Sequence, residues 1–342
     1  MLEGTGCSVC GNTEQVRLFR GTDRVYRWVP EGVWCEVVRC CRCKLIYLSP
    51  RVEEGSIGLF YPESEYYAFR DPTGAPGRLA RLKRDVFFAV ARRYFGYSAD
   101  GGRSCASAAT VRAAAAVVCR LLRSRFHVIP PHVAGGRLLE FGFGAGDFLC
   151  RMQELGWECW GVELNAGTRA RVSARGVKVF EAIDDPAIPE GYFDHVTSYH
   201  ALEHVYDPKG VLRRMHDVLK PGGRIFCGVP NFDSLLGRVF GTFWDNLGVP
   251  IHPYVFTTTS LKMLLEACGF ADVRIRYHSR AIAVTGSIQW AWNGVIWRLT
   301  RRKYVSTSLR DSRVLQAVVT PGVKVVDWLH LGDGIEATAR KP

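Results

Sequence analysis

Between residues 135 and 280, short apolar runs alternate with stretches whose apolar positions recur every three or four residues. That alternation predicts repeated strand–helix units and a parallel sheet wound on both faces. Strands are predicted at Arg137–Phe141, 159–163, 177–180, 193–198, 224–228 and 273–277, with a last one at 334–341. One helix opens at Pro208, after Asp207, because proline suits the first helical position, and Pro221, Gly222 and Gly223 are read as its end. Another is predicted from a cap at Thr258 or Thr259 through Leu261 to Ala267, stopping near Gly269.

The rest of the chain has other patterns. Residues 1–52 show little helical periodicity, and 53–133 read as a mostly helical linker or cap with an Ala-rich run over 106–122. The expected division is therefore 1–52, 53–133, 134–280 and 281–342, the last a helical insertion followed by the final core strand. Residues 281–297, AIAVTGSIQWAWNGVIW, are seventeen uncharged positions between Arg280 and Arg298. That length is marginal for a membrane span, and Gln289, Asn293 and three tryptophans suit a protein groove or an interface. A core or cap helix is the first reading, a peripheral membrane contact the second and a span the last.

With 47% hydrophobic and 23% charged residues, the 342-residue chain has the make-up of a globular protein. No basic segment followed by an apolar core opens it, so a cytoplasmic location is expected. The net charge of +12 leaves nucleic acid, an anionic substrate or a lipid surface open as partners. The arginines are dispersed, with local groups at 78–84, Arg92 and Arg93, and 298–303, so solvated basic faces are the plain reading and nucleic acid is not expected. Oligomeric state leaves no mark on the sequence.

The first strand of the alternating region runs into Gly142-Phe143-Gly144-Ala145-Gly146-Asp147. Glycines at alternate positions let the backbone turn sharply and approach a ligand at the carboxyl edge of the strand. A dinucleotide loop would need a third glycine where Asp147 or Leu149 stands, and a P-loop would need Gly-Lys-Ser/Thr. Both phosphate cradles are excluded. Glu140 precedes the loop, and Glu163, 21 residues after Gly142, closes the second strand, where a carboxylate can accept two ribose hydroxyls. A cationic nucleoside fits this acidic surrounding.

The segments LLEFGFGAGDFL, WGVEL, FDHVTSYHALEHVYDP and LKPGGRIFCGVPN resemble, in order and spacing, the motifs of class I S-adenosylmethionine (SAM) dependent methyltransferases. The resemblance covers roughly residues 137–275. It implies a Rossmann-like, doubly wound α/β core with SAM as cofactor. It further implies that Glu140, Gly142, Gly144 and Gly146 shape the methionine end, that Glu163 binds ribose, and that Ile183 and Asp184 lie by adenine. Asp185 adjoins Asp184 and shares that last assignment, and Tyr199 joins the donor-binding set.

Cys7-x2-Cys10 and Cys40-x2-Cys43 are 29 residues apart, and each pair can form a knuckle offering two thiolates. Two knuckles supply the four-sulfur set that structural zinc prefers, with no open position for catalysis. Cys35 and Cys41 break the spacing and are bystanders. Cys105, Cys119, Cys150, Cys159, Cys227 and Cys268 sit in apolar surroundings and read as core thiols. VRCCRCKLIYLSPR also resembles the second knuckle of zinc ribbons that precede certain bacterial methyltransferases, sugar-modifying ones among them.

Methyl transfer to oxygen or carbon requires alignment, exclusion of water and removal of a proton. His200, Glu203 and His204 follow the fourth strand on one side of a turn. Quinone-pathway O-methyltransferases resemble this stretch and place a Glu-x-x-Glu-His set there for a divalent ion, whereas His200 stands at the first position here. His252, in PIHPYVF, resembles the histidine of a PRHxxxF segment in zinc-ribbon methyltransferases and is the first candidate for proton acceptor. Trp244 and Tyr254, like Tyr199, carry polar tips on apolar bodies and can wall an acceptor pocket. The expected acceptor is a small molecule, a sugar or secondary metabolite, and the tryptophan-rich stretch leaves a lipid-linked one open. The competing reading is a zinc-ribbon binding protein on a non-catalytic methyltransferase-like scaffold.

Overall fold

The computed structural model describes residues 2–22, 33–61, 78–97, 128–301 and 306–342. The Ala-rich run at 106–122, together with Cys105 and Cys119, lies outside them. In chain order the strands are β1 (Leu2–Glu3), β2 (Gln15–Gly21), β3 (Cys35–Cys40), β4 (Ile46–Leu48), β5 (Arg51–Val52), β6 (Arg137–Phe141), β7 (Glu158–Val162), β8 (Lys178–Phe180), β9 (Phe193–Tyr199), β10 (Leu219–Pro230), β11 (Tyr254–Val255), β12 (Ala271–Tyr277) and β13 (Gly334–Arg340). The helices are α1 (Arg78–Tyr94), α2 (Asp147–Glu154), α3 (Ala166–Ser173), α4 (Pro208–Val218), α5 (Leu235–Phe240), α6 (Thr258–Ala267), α7 (Ala281–Thr300), α8 (Ser308–Asp311) and α9 (Arg313–Trp328).

Seven strands form one sheet of order β12-β13-β10-β9-β6-β7-β8. β6, β7 and β8 run parallel, whereas β13 is antiparallel to both β10 and β12. Leu138, Leu139, Val162, Val196, Ile225 and Val229 are buried along it, which is the continuous apolar pattern of strands covered on both faces. A second sheet, of order β11-β4-β3-β2, is antiparallel throughout.

The chain divides into two compact units that are not contiguous in sequence, one of residues 1–66, 198–217 and 224–342, the other of 67–197 and 218–223. In the second, Phe87 and Ala91 of α1 pack with Leu138, Phe143, Leu149, Met152 and Trp157. Trp157 donates its indole N–H to the Tyr97 hydroxyl at 2.8 Å, and that hydroxyl donates to the Pro130 carbonyl at 2.8 Å, so the polar tips of this core are paired. In the first unit Val37, Ile46 and Leu48 of the small sheet pack with Phe232, Trp244, Leu247, Val249 and Val255. The N-terminal cysteine module is thereby joined to the segment that carries His252.

Two boundaries and one cysteine differ most from expectation. Pro221, Gly222 and Gly223 do not end a helix; α4 stops at Val218 and β10 already runs through them from Leu219. The cap of α6 is Thr257, whose hydroxyl accepts from Ser260 N while the Ser260 hydroxyl accepts from Thr257 N. Serine can thus stand in for the glutamate that usually completes such a box. Cys150 is half-buried, with Arg175 donating to its sulfur at 3.2 Å, unlike the buried Cys159, Cys227 and Cys268.

Candidate functional site

The donor-binding candidates, Tyr199 excepted, gather in one unit. β6 ends at Phe141, and Gly142, Gly144 and Gly146 all take positive φ, at 71°, 51° and 78°. A side chain at any of them would be strained. A Cβ on Gly146 would also run into Val172, so the turn and the packing of α3 both require glycine there. Glu163 follows β7 and holds the loop from the facing side, its Oε2 accepting from Gly144 N at 2.9 Å and its Oε1 from Asn165 N at 3.2 Å. Each oxygen keeps a lone pair for a ribose hydroxyl.

Glu140 is buried beneath the loop. Burial pushes its carboxyl well above the ordinary range, and the neighbouring Glu163 charge adds to the rise. Its Oε2 meets no hydrogen-bond partner among the described residues. An orphaned buried carboxyl oxygen beside three glycines suits a cationic ligand with an amino group. Ile183 is buried, Asp184 is exposed, and the Asp185 carboxylate accepts from Ala187 N at 2.8 Å. Of the two adjacent acids, Asp184 is therefore the one not engaged in its own turn.

The imidazole candidates and Tyr199 belong to the other unit. His200 leaves β9 with φ 54°, its N–H donating to Gly228 O at 2.9 Å. Its Nδ1 lies 3.1 Å from Oε1 of Glu203, a fully buried carboxylate. Burial raises the Glu203 carboxyl, but the His200 hydrogen bond and charge outweigh it and bring it to about 2. His204 Nδ1 faces Ile251 O at 3.0 Å and the Tyr61 hydroxyl at 2.7 Å, and His252 Nδ1 faces Asn246 O at 3.2 Å. The Asn246 carbonyl only accepts, so His252 carries a proton on Nδ1. Burial, with His204 alongside, takes His252 down to about 3. Glu203, His204 and His252 each bring a ligand atom within 4.8 Å of the others, and could hold a divalent ion.

Beside His200 the same unit has a small polar cleft, a cavity of about 10 Å³, lined by Tyr199, Asn246, His278, Arg280, Asp333 and Glu336. Asp333 accepts from Asn246 Nδ2 at 2.8 Å and from Arg280 N at 3.3 Å, and burial pushes its carboxyl up to about 6. Burial, and then the Asp327 charge, pushes Glu336 up to about 8. Tyr199 lies over Gly228, where any Cβ would strike its ring. Trp244 is core, whereas Tyr254 accepts from Arg51 at 2.6 Å and donates to Tyr206 O at 3.0 Å, so neither lines the cleft. Asn246, His278, Arg280, Asp333 and Glu336 lie in no motif; β12, β13 and the 245–247 turn bring them together.

The cysteine module is built from two like knuckles. Gly11 N donates to Cys7 O at 2.9 Å and Lys44 N to Cys40 O at 3.2 Å, and Gly11 and Lys44 have φ of 70° and 63°. Sulfur–sulfur distances are 3.3 Å for Cys7 and Cys43, 3.7 Å for Cys7 and Cys10, and 3.5 Å for Cys10 and Cys40. A tetrahedral zinc with bonds of about 2.3 Å separates its sulfurs by about 3.8 Å, so these four residues fit a closed zinc site. The hydrogen bond from Cys43 holds the Cys7 thiol below its ordinary range. Cys35 is fully buried in the ribbon core and Cys41 lies outside the cluster.

Comparison with known proteins places residues 112–275 in a family described as a methyltransferase domain. The chain is 32% identical over 190 residues to the ubiquinone biosynthesis O-methyltransferase of Ruegeria pomeroyi, covering 52% of this chain and 74% of that one. It is 35% identical over 107 residues to the ubiquinone biosynthesis O-methyltransferase of Xanthomonas euvesicatoria, covering 29% of this chain and 45% of that relative. Among solved structures, a SAM dependent methyltransferase from Archaeoglobus fulgidus matches with 23% identity and a TM-score of 0.42, covering 66% of this chain and 94% of the other.

Proposed function

This chain belongs to the class I SAM-dependent methyltransferases, and on that premise we propose that it methylates a hydroxyl of a small, polyhydroxylated acceptor, a sugar or sugar-like metabolite. The observation that carries the acceptor class is the cleft beside His200, where Asp333, Glu336, Asn246, His278 and Arg280 line one opening next to the Tyr199 ring. Neutral and charged donors interleaved with carboxyl acceptors match a ring of hydroxyls better than an apolar quinone.

Bound SAM supplies a methyl group on a sulfonium sulfur, already activated for in-line attack. Gly142, Gly144 and Gly146 admit the donor's main chain, Glu140 faces its amino end, Glu163 takes the ribose hydroxyls, and Asp184 with Ile183 flanks adenine. The role of base falls to His200. Glu203 fixes its Nδ1–H, so that Nε2 is the nitrogen left to receive the acceptor proton. His252 is the first candidate from sequence, but this half-buried imidazole, pushed down to about 3 by its surroundings, is a poor proton acceptor near neutral pH. We assign it and His204 to positioning. A second reading puts a divalent ion among Glu203, His204 and His252, favoured by Glu203 Oε2, which has no hydrogen-bond partner among the described residues.

The test is product mass from the zinc-loaded protein with SAM and a panel of sugars and phenols. A gain of one methyl on sugars only is expected. Methylation of the phenols with none of the sugars would remove the acceptor assignment, and a Mg2+ requirement after gel filtration would favour the second reading.

A further inference from the structure

Two helices of the 281–342 region turn apolar side chains outward. On α7 the exposed positions Ile288, Trp292, Val295 and Leu299 follow one another at spacings of four, three and four. On α9, Val314, Val318, Val325 and Trp328 continue the same rhythm, with exposed Pro321 between Val318 and Val325. Those intervals make a single stripe along each helix. Trp328 is 78% exposed and Trp292 54%, levels at which an aromatic has no core to serve. α7 also buries its other side through Gln289, Trp290 and Asn293, with the Trp290 indole N–H donating to Asp245 at 2.7 Å. It is therefore anchored with its stripe facing out, and α9 packs against it.

The charges around the stripes are mostly basic, the exposed exception being Asp311, which pairs with Arg310 at 3.3 Å. Residues 273–310 contain no acid, and Arg298, Arg301 and Arg313 are exposed at the helix ends. The Arg301 guanidinium lies over the Trp297 ring at 5.3 Å, a pair that suits the boundary between headgroups and hydrocarbon. Asp327 of α9 is largely buried and paired with Lys324 at 3.0 Å. Neither helix is long and apolar enough to cross a bilayer, as holds for every helix among the described residues.

We infer that the outward stripes of α7 and α9 dock this protein on the surface of an anionic lipid bilayer. Valine, leucine and tryptophan enter the interface while the flanking arginines meet acidic headgroups. A second copy is the competing occupant of this face, and the oligomeric state distinguishes it from lipid. The inference goes beyond the proposed reaction and does not depend on it.

Full-length, zinc-loaded protein is sedimented with vesicles of phosphatidylcholine alone and of equal parts phosphatidylcholine and phosphatidylglycerol. We expect partitioning at least roughly tenfold stronger onto the anionic vesicles, since each exposed basic residue near such a surface contributes roughly fivefold. The combined Trp292→Ser, Val318→Ser and Trp328→Ser variant should lose roughly tenfold or more, with its binding of S-adenosylhomocysteine unchanged. Tryptophan quenching of the unaltered protein by brominated lipid gives the same answer without any variant. No sedimentation with anionic vesicles and no quenching would overturn the inference, as would unchanged binding by the serine variant. A dimer in sedimentation velocity that the serine substitutions dissolve would give the face to a second copy instead.

Discussion

The donor cradle and the cleft beside His200 differ in how they are assembled. In the cradle one strand-turn-helix unit supplies Glu140 and three glycines, and the end of the next strand supplies Glu163, all within 24 residues of sequence. The cleft draws on Tyr199, Asn246, Arg280 and Asp333, which span 135 positions. The first arrangement is local, because a positive-φ turn and a parallel neighbour determine where each group sits. The second depends on β13 returning antiparallel between β10 and β12, which sets Asp333 and Glu336 beside residues more than 50 positions earlier.

That contrast gives the largest predicted effect to the base. His200→Asn keeps a residue tolerant of positive φ but removes the proton acceptor, so kcat should fall about a thousandfold. S-adenosylhomocysteine affinity, measured by calorimetry, should stay within about twofold. Equal loss in both would show that His200 serves the cradle as well. Glu163→Ala is the mirror experiment. It removes a carboxylate that holds Gly144 and Asn165 in place, and donor affinity should drop about a hundredfold while the fold, followed by circular dichroism, persists.

A smaller effect is expected from the cysteine module. β4 pairs with β11 through Tyr47 and Tyr254 and Ile46 and Val255, and Leu48 N donates to Pro253 O at 3.0 Å, next to His252. Cys10→Ser should release about one equivalent of zinc and lower turnover about tenfold by loosening that segment, while leaving donor affinity alone. Loss of donor binding in the same variant would mean that the ribbon supports both regions.

A last effect bears on stability and pH rather than on turnover. A buried Glu336 with its carboxyl at about 8 stays protonated when folded, while the unfolded chain ionises from its ordinary value of 4.5 upward. Folding stability should therefore fall as pH rises between those values, by at most about 1.4 kcal/mol per pH unit, and level off above about 8. Glu336→Gln should flatten that slope in urea titrations at pH 5 and pH 8. An unchanged slope would move its origin to another group.

Sequence and structure agree most closely where a residue's role follows from its neighbours in the chain. β6 begins and ends where the apolar run does, and the two Cys-x2-Cys knuckles converge as their spacing requires. The end of α4 was misplaced because Pro221-Gly222-Gly223 reads as a stop, yet pairing in the sheet carries β10 through all three. His252 ranks first as base by resemblance, whereas the desolvation and the neighbouring His204 that push its imidazole down to about 3 are visible only in the packed molecule.

What the chain determined by itself was the α/β wind, the glycine turn with its two acids and the four-sulfur set, since each rests on backbone geometry or metal coordination within a short span. Tertiary structure alone decided which histidine meets the cleft, which acids line it, and that α7 and α9 turn valine and tryptophan outward. Burial is a property of the packed molecule: the same apolar spacing that builds a core on one side of a helix is left at the surface when nothing packs against the other.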